Sequence, residues 1–139
     1  MKYLKLFNEA SHSAKEYVYR RDFLPTEIEN ILDGLKLEFL KYSIRFSTDF
    51  KKIEIDITPA EKNIIIDKQT VKDTLAHLIS FLETEKFELS YYWTPEGKMN
   101  SYVGGTDLTT PEFKYEEFFD LLPDQPQELY LSFLYKNSL

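Results

Sequence analysis

Residues 53–57, Ile53-Glu54-Ile55-Asp56-Ile57, decide the fold class of this 139-residue chain. Three isoleucines alternate with two acids, so the isoleucines share one side of a strand and the carboxylates share the other. Pro59 ends the strand soon afterwards, because a proline cannot donate a hydrogen bond to a neighbouring strand. A strand with one apolar and one charged side is typical of an antiparallel sheet that covers a core with one face.

Two helices are predicted before this strand. Apolar residues at three- and four-residue spacing predict a first helix over residues 2–20. A second helix is predicted to begin near Pro25, where Thr26 and Glu29 have the spacing of a capping box.

The end of the second helix is less clearly marked. We expect Gly34 to end it, because glycine readily adopts the left-handed conformation that often follows a helix. Residues 35–46 are then interpreted as a strand whose alternation slips once near Leu40, as at a β-bulge. The alternative is a helix that continues through Tyr42.

A short strand and a long helix are predicted after the central strand. Residues 64–66 are three consecutive isoleucines, which predict a strand buried on both faces. Asp67 offers an N-cap for the next helix, whose apolar stripe runs from Val71 to about Glu85.

Residues 87–103 are predicted to form a hairpin around a turn at residues 95–97. The expected register sets Trp93 beside Met99 and Leu89 beside Val103. The side chains predicted to face inward are Phe87, Leu89, Tyr91 and Trp93. Those predicted to face outward are Ser90, Tyr92, Asn100 and Tyr102.

The last two elements are a helix over residues 110–122 and a strand at Leu129–Tyr135. Both faces of that strand are apolar, so we expect it in the middle of the sheet rather than at an edge. The sequence therefore predicts an α+β fold with a largely antiparallel sheet of about five or six strands. Three or four helices are expected to pack mainly on one face, in a single domain covering residues 1–139.

The surplus negative charge lies in the second part of the chain. Residues 1–58 carry ten basic and ten acidic residues, whereas residues 59–139 carry seven basic and fourteen acidic ones, which gives the net charge of −7. Nucleic-acid affinity comes mostly from Lys and Arg on phosphates, so this distribution disfavours nucleic acid and favours a basic protein partner.

The helix over residues 110–122 carries the first candidate site. Glu112, Glu116 and Asp120 recur at four-residue spacing, with Glu117 beside them and Asp124 just beyond. Like charges at this spacing destabilise a helix slightly, and Lys114 lies on another side. We interpret the row as a docking surface for a basic partner, with a solvated helix face as the alternative.

The outward face of the hairpin carries the second candidate site. Tyr92 and Tyr102 are expected to lie diagonally across it, near Trp93, and tyrosine is enriched in protein interfaces. Together with the acidic row, these residues would form one acidic, Tyr-rich surface. The alternative is that a helix covers them.

Catalytic and metal sites have weaker support. Glu54 and Asp56 share one strand side and could bind a divalent cation or act as an acid–base pair, although such alternation is usual in any half-solvated strand. His77 follows Asp73 at helical spacing, which is more typical of a surface pair. The chain has no cysteine, so disulfides and thiolate chemistry are excluded, and we expect no metal and no cofactor.

The composition resembles that of the small acidic proteins with which bacteria and phages block a basic target, such as toxin-immunity proteins. That resemblance implies a non-enzymatic inhibitor that covers a basic toxin or effector. The acidic charge and the lack of a long apolar stretch predict that it contacts neither nucleic acid nor membrane directly. No signal peptide or membrane span is visible, so a cytoplasmic location is expected. The alternatives are a small-ligand- or divalent-metal-dependent enzyme that uses Glu54 and Asp56, and a homo-oligomeric structural component, of which a homodimer is the simplest form.

Overall fold

The computed structural model describes residues 15–95, 101–102 and 115–136. The described helices are α1 (Leu24–Leu32), α2 (Lys68–Thr84) and α3 (Tyr115–Leu121), with a 3-10 helix at Asp33–Glu38. Residues 15–22 are also helical, so the predicted first helix is described only in its last part. The strands are β1 (Leu40–Phe46), β2 (Lys52–Pro59), β3 (Phe87–Trp93), β4 (Ser101–Tyr102) and β5 (Leu129–Tyr135).

The sheet has the order β1-β2-β5-β3-β4, and every described pair of neighbours is antiparallel. The predicted α+β class and antiparallel sheet are therefore confirmed. The predicted number of elements is slightly too high, because the described sheet has four full strands and β4 adds only two residues.

The predicted strand at residues 64–66 is absent. These residues form an irregular connection into α2, in which Ile66 is fully buried while Ile65 is 59 % exposed. Ile66 anchors the connection in the core, Ile64 packs against that core while partly buried, and no described strand pairs with this segment.

Strand β5 lies in the middle of the sheet, as predicted from its two apolar faces. It pairs with β2 on one side and with β3 on the other, with Leu131 opposite Ile55 and Phe133 opposite Ile53. The isoleucines of β2 are fully buried, so their alternation marks the inner face of the sheet.

Helix α2 covers the inner face much as the sequence predicted. The Asp67 carboxylate accepts a hydrogen bond from the backbone N–H of Gln69 at 3.0 Å, which satisfies one of the free donors at the helix start. The apolar stripe of α2 is buried in one core with the inner sheet residues; its members are Val71, Leu75, Leu78, Ile79 and Leu82.

The chain between α1 and β1 follows neither of the two predicted paths in full. Gly34 does not end the helical region, which continues as the 3-10 helix as far as Glu38. Phe39 then takes a left-handed conformation, with φ of 57°, and β1 begins at Leu40. The alternation that suggested a strand does not mark one buried side, because Leu35 is buried while Leu37 points into solvent.

The predicted capping box of α1 is wrong. The helix begins at Leu24 after Phe23, and no side chain caps it. Backbone carbonyls supply the acceptors instead: Phe23 N–H donates to Tyr19 O, in the preceding helical segment, at 2.9 Å, and Glu27 N–H donates to Phe23 O, at the helix start, at 3.2 Å. A side-chain cap is unnecessary where a preceding turn satisfies the backbone donors.

A β-bulge in β3 changes which of its aromatic residues face inward. Leu89 pairs with Phe133 and Tyr91 pairs with Ser132, so Ser90 is the additional residue. The predicted orientations of Tyr91, Tyr92 and Trp93 are therefore wrong: Tyr92 faces the core, and Tyr91 and Trp93 face outward. Tyr91 also pairs with Tyr102, one residue away from the predicted register.

Each helix in the described ranges is too short or too polar to cross a lipid bilayer.

Candidate functional site

The inner side of α3 fixes the helix onto the core. Phe118 and Phe119 are buried, and the ring of Tyr92 meets that of Phe118 edge-on at 4.8 Å. The Tyr115 hydroxyl donates to the backbone carbonyl of Lys72 in α2 at 2.6 Å. Burial, with Glu116 and Asp73 nearby, raises the pKa of Tyr115 to about 12, so the hydroxyl remains a donor at neutral pH.

Lys68 holds the end of α3 against the start of α2. Its ammonium group is buried and donates to the carbonyls of Leu122 at 2.9 Å and Phe119 at 3.3 Å. Its backbone N–H donates to Asp124 O at 3.0 Å. These bonds satisfy carbonyls that the end of a helix otherwise leaves without a partner.

The outer side of α3 combines acids with an exposed leucine. Glu116, Glu117 and Asp120 are exposed, and Leu121 is 71 % exposed. Asp124, in the turn after the helix, has a side chain that is 95 % exposed. Glu117, Leu121 and Asp124 follow at helical spacing, so a large apolar side chain lies among carboxylates. We call these five residues the α3 surface.

The protein's own lysines match part of this charge. Lys72 lies 3.6 Å from Glu116, and Lys68 lies 3.7 Å from Asp124. These pairs are long and solvent-exposed on the acidic side, where an ion pair contributes little. In the part of the chain that the structure describes, no cation forms an ion pair with Asp120.

The other predicted partner-binding residues do not all join this surface. Glu112 and the side chain of Tyr102 lie outside the described residues. Tyr92 is only 7 % exposed and supports α3 from beneath, so the predicted outward orientation is wrong. Trp93 is half-buried on the outer sheet face, opposite Tyr130. Tyr92 and Trp93 therefore lie on opposite faces of the sheet.

Glu54 and Asp56 lie on the outer face of the sheet, as their alternation predicted, but both belong to ion pairs. Arg45 is 2.9 Å from Glu54 and 3.6 Å from Asp56, and Lys52 is 3.2 Å from Glu54. Burial alone would raise the pKa of Glu54, but the two cations outweigh it and lower that pKa. Glu54 is therefore held as a carboxylate.

Glu128 faces the same cluster and behaves differently. Burial raises the pKa of its carboxyl group, and the neighbouring carboxylate of Asp56 raises it further. Sequence reasoning missed this pair because Glu128 precedes β5 and approaches Asp56 only through the pairing of β5 with β2.

Leu121 is the member of the α3 surface that sequence reasoning missed. A signal was present, since Phe118, Phe119 and Leu122 already fill the inner side of the short helix and leave Leu121 on the outer side.

His77, the last candidate residue, is exposed on α2. Over the described ranges, no three His, Asp or Glu side chains are grouped so that they could hold a metal ion. Comparisons with protein-family models, with curated proteins and with solved structures gave no match.

Proposed function

We propose that this chain is a small acidic binding protein that blocks a basic partner protein, in the manner of an inhibitor or immunity protein. The observation that carries the proposal is the exposed Leu121 among the carboxylates of the α3 surface. Carboxylates speed the encounter with a basic surface, and a central apolar side chain slows dissociation once water is excluded around it. A cytoplasmic site of action and a toxin- or effector-like partner are parts of this proposal.

The packing of α3 supports this role. Buried aromatic rings, the Tyr115 bond and the Lys68 bonds hold the helix from its inner side. The outer side is therefore presented without the entropy cost of ordering a loose segment on binding. Aromatic residues of β3 contribute through Tyr92, which supports α3, while Trp93 offers a separate contact on the outer sheet face.

The enzymatic alternative through Glu54 and Asp56 has less support, because Arg45 and Lys52 already pair with these acids. The homo-oligomeric alternative has no specific observation in its favour.

The proposal can be tested by measuring association with a panel of small basic nucleases by surface plasmon resonance at low and high salt. Asp120→Lys should slow association about tenfold at low salt, because it reverses a charge in the α3 surface. Leu121→Ala should mainly accelerate dissociation, because it removes the apolar contact.

The matched control is Glu27→Lys, which makes the same change in net charge at an exposed position of α1. It should leave the association and dissociation rates within about twofold of those of the unmodified protein, because it changes only the long-range electrostatic attraction. Equal effects of Asp120→Lys and Glu27→Lys would contradict the proposal, and so would an association rate that does not depend on salt.

A further inference from the structure

Arg20 is a buried cation for which the described residues supply no anionic partner. It is 8 % exposed, in the helical segment over residues 15–22, and its Nε has no hydrogen-bond partner among those residues. No carboxylate of the described residues forms an ion pair with it. Buried arginines are rare unless paired, because the charge loses its hydration.

Lys68 shows how this protein otherwise treats a buried cation. Its ammonium group is equally buried but donates to two backbone carbonyls and lies near the Asp124 carboxylate. Among the described residues, the contact of the Arg20 guanidinium is with the ring of Tyr135, whose centroid lies 4.5 Å from its guanidinium carbon. A cation–π contact offsets only part of the lost hydration.

Arg20 borders a cavity. The cavity has a volume of about 340 Å³, which lies within the usual range for small-ligand sites. Its walls come from the helical segment over residues 15–22, the end of α2 and the end of β5. Arg20, Tyr19 and Tyr135 line the cavity, and Glu16, Glu85 and Lys86 lie around it.

The charges around the cavity favour an anion by a small margin. Arg20, Lys86 and Lys15 line it together with the carboxylates of Glu16 and Glu85, so the described lining has three cations and two carboxylates, within a chain whose net charge is −7. The nearby Glu85 carboxylate accepts a hydrogen bond from the Tyr19 hydroxyl at 3.3 Å. Burial, followed by this carboxylate, raises the pKa of Tyr19, so Tyr19 stays neutral and keeps Glu85 engaged.

We propose that this cavity binds a small organic carboxylate. The carboxylate would lie on the Arg20 guanidinium, whose planar fork matches its two oxygens. The apolar body of the ligand would pack against the rings of Tyr19 and Tyr135. This site lies on different elements from the α3 surface and does not depend on the proposed function.

Calorimetric titration of the full chain with benzoate tests the proposal, with benzamide as the neutral ligand of the same shape and inorganic phosphate as an anion without an apolar body. Benzoate should bind at least about tenfold more tightly than benzamide, because only benzoate supplies a charge-assisted bond to Arg20. Phosphate should bind more weakly than benzoate.

The decisive variant is Arg20→Gln, with Arg21→Gln as its control. Arg21 is the next residue, is exposed and pairs locally with Asp22 at 2.7 Å. Arg20→Gln should weaken benzoate binding about tenfold or more, and Arg21→Gln should leave it unchanged. Equal binding of benzoate and benzamide, or unchanged affinity in Arg20→Gln, would overturn the proposal.

Nuclear magnetic resonance of the unmodified chain keeps the test independent of the folding of the variant. Benzoate should shift the amide signals of Lys86, Thr84 and Tyr135, which border the cavity. Shifts confined to other parts of the chain would equally overturn the proposal.

Discussion

A single residue in an unusual backbone conformation ends the helical region before the sheet. Phe39 has a φ of 57°, and its N–H donates to Lys36 O at 3.1 Å. The left-handed region is unfavourable for a residue with a side chain, because Cβ approaches the following carbonyl. Since Phe39 is 61 % exposed, its ring contributes little burial in return.

Replacing Phe39 by glycine should therefore raise the free energy of unfolding by about 0.5–1 kcal/mol, because glycine adopts this conformation without strain. Urea denaturation would measure the change. The matched control is Leu37→Gly: Leu37 is 82 % exposed but lies inside the 3-10 helix, so the variant should lose stability. A loss of stability in Phe39→Gly of the same size would show that the ring matters more than the backbone.

Sequence reasoning could not locate this stop because Gly34 offered a more usual one. A glycine after an apolar stripe is a frequent helix end, and nothing in the type of Phe39 suggests a positive φ. By contrast, Asp67 was predicted correctly as a cap because its short carboxylate reaches the first turn of α2 directly.

Among the elements, α3 owes its stability to contacts with α2 more than to its own backbone hydrogen bonds. Seven residues form too short a helix to be stable alone in water. Its anchors are the buried rings of Phe118 and Phe119, and the Lys68 ammonium that bonds two of its last carbonyls.

Lys68→Met should lower the free energy of unfolding by about 1–3 kcal/mol, because it leaves two carbonyls without their partner. Lys72→Met is the control, since Lys72 offers Glu116 only a long, partly exposed contact. Its loss should cost less than about 1 kcal/mol. Urea denaturation compares the two variants, and equal losses would show that the carbonyl bonds of Lys68 are not what hold α3.

Strand β3 shows why an element can be predicted while its faces are not. The alternation from Phe87 to Leu89 is clear, but Tyr91, Tyr92 and Trp93 are three aromatic residues in succession. Either phase of the strand buries an aromatic residue, so the sequence did not reveal the bulge at Ser90. Strand β2 carries one clear alternation and strand β5 is apolar on both faces, and both strands were predicted correctly.

At the scale of the whole molecule, the carboxylates make stability depend on pH in two opposite directions. Because the pKa of Glu54 is lowered in the folded protein, Glu54 contributes stability above its unfolded pKa of 4.5. That contribution is lost as the pH falls through the folded pKa. The raised pKa of Glu128 has the opposite effect. The folded state holds the proton of Glu128 more tightly than the unfolded state does. The contribution of Glu128 to stability is therefore complete below pH 4.5 and is lost as the pH rises through the folded pKa.

Glu128→Gln should therefore stabilise the protein at pH 7, by less than about 1 kcal/mol because solvent screens the pair, and should have little effect near pH 4. Thermal unfolding across this pH range would measure the difference. Glu61→Gln removes one charge at an exposed turn and should show no such dependence on pH. A gain for Glu128→Gln that is the same at every pH would contradict repulsion from Asp56 as its cause.

The central position of β5 has a consequence for how the chain acquires its structure during synthesis. The ribosome releases residues 129–135 after all the other described strands, yet both β2 and β3 need them as neighbours. Until then, the hairpin of β1 and β2 exposes the edge of β2, and the unit of α2 and β3 exposes the edge of β3. Each also exposes apolar surface. We therefore expect nascent chains stalled before β5 to be prone to aggregation and to recruit chaperones. Chains released with β5 should complete the sheet in one late step.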